Sequence, residues 1–242
     1  MPGFCDVHSH VVPSGDDGVA SIEEGLELSR EAVARGTGLL VATPHAGPVY
    51  PMTREREERV RAAYAAMRPQ AAAFGLDLRL GFELTPEPGF LTEDLTRYAI
   101  DGIPAVLMEL PFRGGLELAE RVAAAIEDTG LTPIVGHPER AHAVRDHPER
   151  VRSYAERGWL VQVNATSLTG EHGPVAEEAG WFLVEEGIAS LVGSDGHRAS
   201  RPPFLDEAYA EAVVRIGEEA ALRLFEGAAL GVRGGADLAE RR

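Results

Sequence analysis

The sequence predicts one barrel-like α/β domain spanning residues 1–242, with seven parallel strands and helices between them. Three observations carry that prediction. Short apolar runs rich in β-formers alternate with longer amphipathic runs from end to end. Short Gly, Pro and Asp connections join them, as in strand–helix units wound right-handedly. No linker-like stretch of altered composition divides the chain.

In chain order, strands are expected at Phe4–His8, Leu39–Thr43, Leu78–Phe82, Ala105–Leu110, Thr132–Gly136, Leu160–Val163 and Ser190–Gly193. The first helix opens with a capping box, Ser21 and Glu24, and carries Ile22, Leu26 and Val33 on one face. The second starts near Thr53 and mixes Glu with Arg at helical spacings, a pattern expected of a solvated outer face. Further helices are expected near Leu116–Thr129, Pro148–Arg157, Val175–Glu186 and Leu205–Ile216. The tail from Gly227 to Arg242, rich in Gly and Ala, is expected to fray.

Composition excludes several classes of function. The 39 acids against 23 bases give a net charge of −16, without a basic run, so nucleic acid and anionic bilayers are not expected partners. Every base is Arg, which removes Schiff-base chemistry, a P-loop Lys and a carboxylated-Lys metal bridge. The lone Cys5 precludes an internal disulfide and reads as a small core residue. A Cys-based phosphatase is excluded as well, because a C-x5-R motif from Cys5 would need Arg at Val11. With no charged-then-apolar leader and no run near the roughly 20 residues of a membrane span, a cytoplasmic location is expected.

In a parallel barrel the chemistry sits at the C-terminal ends of the strands. An ionisable group falls at nearly every such end: His8 and His10, His45, Glu83, Glu109, His137, and then Asp195 and His197. The loop after the first strand adds Asp16 and Asp17, and the sixth strand ends with Gln162 and Asn164. Each group alone would be an ordinary turn, cap or ion-pair residue. Their coincidence on one rim points to metal. His and carboxylate without thiolate suit manganese, iron or zinc. Nine ligands exceed the needs of one ion and suggest two or three bridged metals, a geometry that clamps both oxygens of a phosphoryl transfer. Arg140 and Arg201 lie close enough in sequence to the rim to fork a phosphate.

The tetrapeptide His-Pro-Glu-Arg occurs twice, at 137–140 and 147–150. Only the first copy follows a strand; the second is expected to start a helix through Pro148 and to carry no chemistry. His142 and His172 also fall in helix-entry or loop contexts without an expected role.

The ordered motifs D-V-H-S-H-x4-G-D-D-G, A-T-P-H, M-E-L-P, G-H-P-E-R, Q-V-N-A-T-S-L-T-G and G-S-D-G-H, from Asp6 to about Arg201, resemble the PHP (polymerase and histidinol phosphatase) superfamily. The resemblance is strongest to the bacterial capsule and exopolysaccharide protein-tyrosine phosphatases. It implies a distorted seven-stranded (β/α)7 TIM-like barrel and a centre of up to three divalent metals, usually manganese. Carried over by position, His8, His10, Glu83 and Asp195 would hold the first metal. Glu83 would bridge to a second held with Glu109 and His137, and Asp17, His45 and His197 would hold a third. Arg140 and Arg201 match positions that bind the substrate phosphate. The implied reaction is attack of a metal-bound hydroxide on a phosphotyrosine protein, with an autophosphorylating tyrosine kinase of polysaccharide synthesis as the implied partner; an oligomer is left open.

Two departures stand out. Ala46 replaces a second His after His45, and Gly227-Ala228-Ala229 stands where relatives carry Asn-Pro. The nearest alternative is a histidinol-phosphate phosphatase, for which Glu139 is a candidate cation-binding acid at the rim. A glycosidase using Glu83 and Glu109 is a weaker reading. A metal-bound regulatory or scaffold protein is the non-enzymatic one.

Overall fold

The computed structural model describes residues 3–232. The chain runs β1 (Phe4–Ser9), α1 (Ile22–Ala34), β2 (Thr37–Ala42), β3 (His45–Ala46), α2 (Arg54–Ala73), β4 (Asp77–Leu80), β5 (Glu83–Leu84), β6 (Ala105–Glu109) and α3 (Glu117–Asp128). It continues through β7 (Thr132–Gly136), α4 (His142–Arg145), α5 (Arg152–Arg157), β8 (Leu160–Asn164), α6 (Ala165–Leu168), α7 (Pro174–Glu185), β9 (Leu191–Gly193), α8 (Asp206–Ile216) and α9 (Glu218–Phe225).

The helix starts follow from local capping. Ser21 Oγ accepts the Glu24 amide at 3.2 Å, while Glu24 Oε2 accepts the Ala20 amide at 2.8 Å. Thr53 Oγ1 accepts the Arg56 amide at 3.2 Å and opens α2.

Every strand pairing is parallel, in the orders β1-β2-β4 and β3-β5-β6-β7-β8-β9. The parallel α/β class is as expected. The pairings alone do not describe the distorted seven-stranded barrel expected: they form two open sheets, of three and six strands. The reason is local. The strands expected at Leu39–Thr43 and Leu78–Phe82 each break and resume, at Thr43-Pro44 and at Gly81-Phe82, as β2/β3 and β4/β5. Pro44 has no amide to donate to a ladder. Bonds from Gly81 N to Ala42 O (2.8 Å) and Glu83 N to Pro44 O (3.2 Å) cross this seam. At the other edge His10 N donates to Gly196 O (2.7 Å) and Asp195 N to His8 O (2.8 Å).

Alternate strand residues feed two apolar clusters. Leu40, Leu78, Val106, Met108, Val135 and Val192 pack with the helices, and Cys5, Val7, Val41, Leu107, Ile134 and Leu191 form the smaller cluster. Cys5 is fully buried, as a small core residue should be. Gly227, at φ +79°, closes over it; a Cβ there would fall 2.7 Å from the sulfur. The tail expected to fray from Gly227 is ordered as a 3₁₀ turn over Ala228–Leu230, and the remainder from position 233 lies outside the described residues. Among the described residues no helix is long and apolar enough to cross a membrane.

Candidate metal centre

Both seams matter because of what they place there. His45 begins β3 and Glu83 begins β5, so each break delivers a polar side chain beside the end of β1. Glu109 ends β6, His137 follows β7, and Asp195 and His197 follow β9. His137 and Asp195 are the only described non-glycine residues with positive φ, at 33° and 54°.

Glu83 lies at the middle. Its Oε2 is 3.1 Å from His8 Nε2, 3.3 Å from His10 Nε2 and 3.1 Å from His45 Nδ1, and its Oε1 is 3.0 Å from His137 Nε2. Asp195 Oδ1 lies 3.4 Å from His8 Nε2 and 3.5 Å from His10 Nε2. Asp17 Oδ1 is 3.4 Å from both His45 Nε2 and His197 Nε2. The nine residues expected as ligands thus come together, in three overlapping sets whose donor atoms lie within 4.8 Å of one another. The sets are His10, Asp17, His45 and His197; His8, Glu83, His137 and Asp195; and His45, Glu83 and Glu109. They differ from the grouping implied by resemblance in placing His10 with Asp17 and His137 with His8. The sets overlap through His45 and Glu83, each of which belongs to two of them.

The donors fit divalent ions. Glu83 Oε2 and the Nδ1 atoms of His10 and His45 are buried with no hydrogen-bond partner, an arrangement that is costly unless a cation takes their lone pairs. Burial, then the neighbouring Glu83 charge, pushes the Glu109 carboxyl up to about 7, against the opposing pull of His137 and the Thr85 hydroxyl. Burial, then the His10 charge, pushes His197 down to about 3, so its ring is neutral and free to ligate.

A sequence model of the family described as capsular polysaccharide synthesis, CpsB/CapC, matches residues 4–231. The chain belongs to the CpsB/CapC family. Over 235 residues it is 28% identical to the tyrosine-protein phosphatase YwqE of Bacillus subtilis, covering 94% of this chain and 91% of that one. It is 29% identical over 236 residues to the tyrosine-protein phosphatase CpsB of Streptococcus agalactiae, covering 91% and 94%. Among solved structures, one reported for YwqE and for CpsB of Streptococcus pneumoniae as unique metal-dependent tyrosine phosphatases superposes with a TM-score of 0.79 at 25% identity, over 90% of each chain. A Bacillus D-hydantoinase, at 16% identity and a TM-score of 0.58, covering 94% of this chain and 70% of its own, shares the fold alone.

In this CpsB/CapC chain the two arginines expected at the rim flank Asp195. Arg140 Nη1 donates to Oδ2 at 2.8 Å, and Arg201 Nη2 lies 2.7 Å from Oδ1. Behind them a chain of amides fixes two of the candidate ligands: His8 Nδ1 and Gln162 Oε1 are 2.9 Å apart, Gln162 Nε2 donates to Asn164 Oδ1 at 2.9 Å, and Asn164 Nδ2 donates to Asp195 Oδ2 at 2.9 Å. This holds the His8 proton on Nδ1 and turns Nε2 toward the centre. Gln162 and Asn164 were visible in the sequence as strand-end residues, but nothing in their spacing specified this orienting role.

Other placements depart from expectation. Arg56, read as part of a solvated face of α2, is buried: Nε donates to Ser14 O (2.9 Å), Nη1 to His45 O (2.8 Å) and Tyr50 O (2.7 Å), and Nη2 to Ser14 Oγ (3.0 Å). Asp16 Oδ2 accepts the His45 amide at 3.0 Å and so locks the same loops. Glu139, the candidate cation-binding acid, is fully buried, accepting from Asn164 N at 3.0 Å and Ser167 Oγ at 2.7 Å. Ala46 is buried in β3 opposite Leu84. His147 of the repeated tetrapeptide is exposed at the start of a 3₁₀ turn, as its context predicts. His172 lies nearer the site than expected: burial, with the Arg140 charge, pushes it down to about 4, and its Nδ1 is 3.0 Å from Ser167 Oγ.

Metal loading should depend on pH. Burial opposes charge on His137, but the Glu83 hydrogen bond and the Asp195 charge outweigh it and raise the imidazole to about 8. Without metal, this proton stabilises the fold fully below the ordinary value of 6.5, and the gain is lost as pH rises through about 8. An incoming cation must displace it. Titration calorimetry in buffers of different ionisation enthalpy is expected to show proton release, with affinity weakening roughly tenfold per unit as pH falls below about 8. An affinity flat from pH 6 to 8 would remove this linkage.

Proposed function

We propose that this chain hydrolyses phosphotyrosine on a protein substrate, using a centre of up to three divalent metals, manganese foremost, held by His8, His10, Asp17, His45, Glu83, Glu109, His137, Asp195 and His197. The observation that carries the reading is the convergence of all nine donors, with two guanidinium groups on the oxygens of one of them. We further read the two open sheets as a distorted seven-stranded barrel within one domain, because backbone hydrogen bonds cross both seams.

Bound divalent ions supply a water of lowered pKa and neutralise charge on the phosphoryl oxygens. The protein's own groups do the rest. Arg140 and Arg201, anchored on Asp195, present planar donors to the phosphate and hold it in line. Gln162 and Asn164 keep His8 and Asp195 aimed while charge develops. The oxygen of water bonds to phosphorus as the bond from phosphorus to the tyrosyl oxygen breaks; the water gives up a proton and the departing tyrosyl oxygen takes one up, so phosphate and tyrosine are the products. A phenol with a pKa of about 10 leaves without demanding a strong general acid.

The family's link to capsular polysaccharide synthesis supports an autophosphorylating tyrosine kinase of that process as the partner, acting in the cytoplasm. Glu139 already accepts from Asn164 N and Ser167 Oγ, which weighs against its holding the amine of histidinol phosphate and in favour of the phosphotyrosine reading.

The test compares initial rates on a phosphotyrosine peptide and on histidinol phosphate, in manganese and in chelator. Chelator-sensitive turnover favouring the peptide is expected. Preference for histidinol phosphate would move the chain to a small-molecule substrate, and metal binding without any turnover would leave a regulatory protein. Arg140→Ala and Arg201→Ala are each expected to lower kcat/KM on the peptide by about a hundredfold, Arg201→Ala chiefly through KM, with metal content retained. Loss of metal in either variant would mark that arginine as a support for Asp195 rather than a phosphate ligand.

A further inference from the structure

Phe112 lies in the loop after β6 and is 44% exposed. A solitary exposed phenyl ring is unremarkable on most surfaces. Its neighbours set this one apart. The ring lies parallel to His137 within 3°, with centroids 6.0 Å apart, and the Arg140 guanidinium carbon sits 4.9 Å from its centroid. An aromatic face, a proposed metal ligand and a proposed phosphate donor therefore share one wall. On the far side of Glu83 a second ring takes a similar place: Tyr50 stacks on His45 at 5.6 Å and 16°, and Arg56 grips its carbonyl.

We infer that Phe112 forms the wall against which the substrate's phenyl ring packs, making it a specificity-determining residue for aryl over alkyl phosphoesters. The inference deepens the phosphotyrosine reading and rests on it. The argument is one of covalent geometry. In phosphotyrosine the ring is attached directly to the bridging ester oxygen, so a phosphate held by Arg140 must bring the ring out beside that arginine. The side chain packed on Arg140 there is Phe112. Offset or edge-to-face packing of two rings adds to the gain from burying them. A short alkyl ester would leave the same wall wet.

The test is calorimetric binding of phenylphosphonate and of methylphosphonate to the manganese-loaded protein, in wild type, Phe112→Ala and Phe112→Tyr. The ratio of the two affinities is expected to fall about tenfold in Phe112→Ala and to return in Phe112→Tyr. An unchanged ratio in Phe112→Ala would overturn the inference. So would an equal weakening of both ligands, which would show that Phe112 only props Arg140 or His137. A parallel assay of wild type on a phosphotyrosine peptide separates the two failures: absent turnover defeats the phosphatase reading and the inference with it, while turnover with an unchanged ratio defeats the inference alone.

Discussion

Glu83→Gln is expected to lower kcat/KM on a phosphotyrosine peptide by at least about a thousandfold, the loss of several kcal/mol of metal-borne charge stabilisation. The substitution is nearly isosteric, so packing around this fully buried side chain is kept. What changes is charge and donor character. Imidazoles of His8, His10, His45 and His137 surround the carboxylate at 3.0 to 3.3 Å. Burial works against its charge, but His8, His45 and the other rings hold it well below the usual carboxylate range. An amide cannot bridge cations and turns N–H groups toward lone pairs meant for metal. Since Glu83 belongs to two of the three donor sets, metal content measured by mass spectrometry should fall along with the rate. Wild-type metal content and turnover in Glu83→Gln would dismantle the bridged-centre reading.

Arg56→Ala is expected to cost about 3–5 kcal/mol of folding stability, because it strips partners from buried acceptors and removes a buried cation beside Asp16. The carbonyls of Ser14, His45 and Tyr50 would lose their donor together. A melting-temperature drop of roughly 10 °C corresponds to that range in a domain of this size. Arg54, two residues earlier on α2, has a side chain 91% exposed and supplies the control: Arg54→Ala should stay within about 0.5 kcal/mol of wild type. Arg56→Lys should recover only part of the loss, since one ammonium cannot span three loop carbonyls. Equal melting temperatures for Arg54→Ala and Arg56→Ala would show that the clamp carries no weight.

That pair of arginines shows where sequence reading stops. Periodicity places both on one helix, and composition makes both look solvated; only the return of two loops over the helix start separates them. The residues of the candidate metal centre were legible for the opposite reason. A parallel sheet sends every strand end to one rim, so polar residues scattered along the chain could be added together before any contact was known. The resumption of the strands was not legible: Thr43-Pro44 reads as a plain strand end with no apolar run after it, whereas Gly81-Phe82 interrupts a run whose apolar content continues across it. The burial of Glu139 was not legible because a residue two positions beyond His137 can turn inward as easily as outward, and the 3₁₀ turn over Pro138–Arg140 settles which. Phe112 drew no notice beside so many charges, since an aromatic side chain in a loop has no pattern of its own.

The left-handed backbone at His137 and Asp195 is held there by what their side chains touch. A β-carbon in that region costs about 1–3 kcal/mol, and glycine avoids most of the cost. Glycine at either position would nevertheless strip a buried partner from Glu83, or from Arg140, Arg201 and Asn164, a loss of about 3–5 kcal/mol that outweighs the relief. The strain therefore persists because the charges around it over-determine it, and any attempt to harden this protein has to hold those two positions fixed.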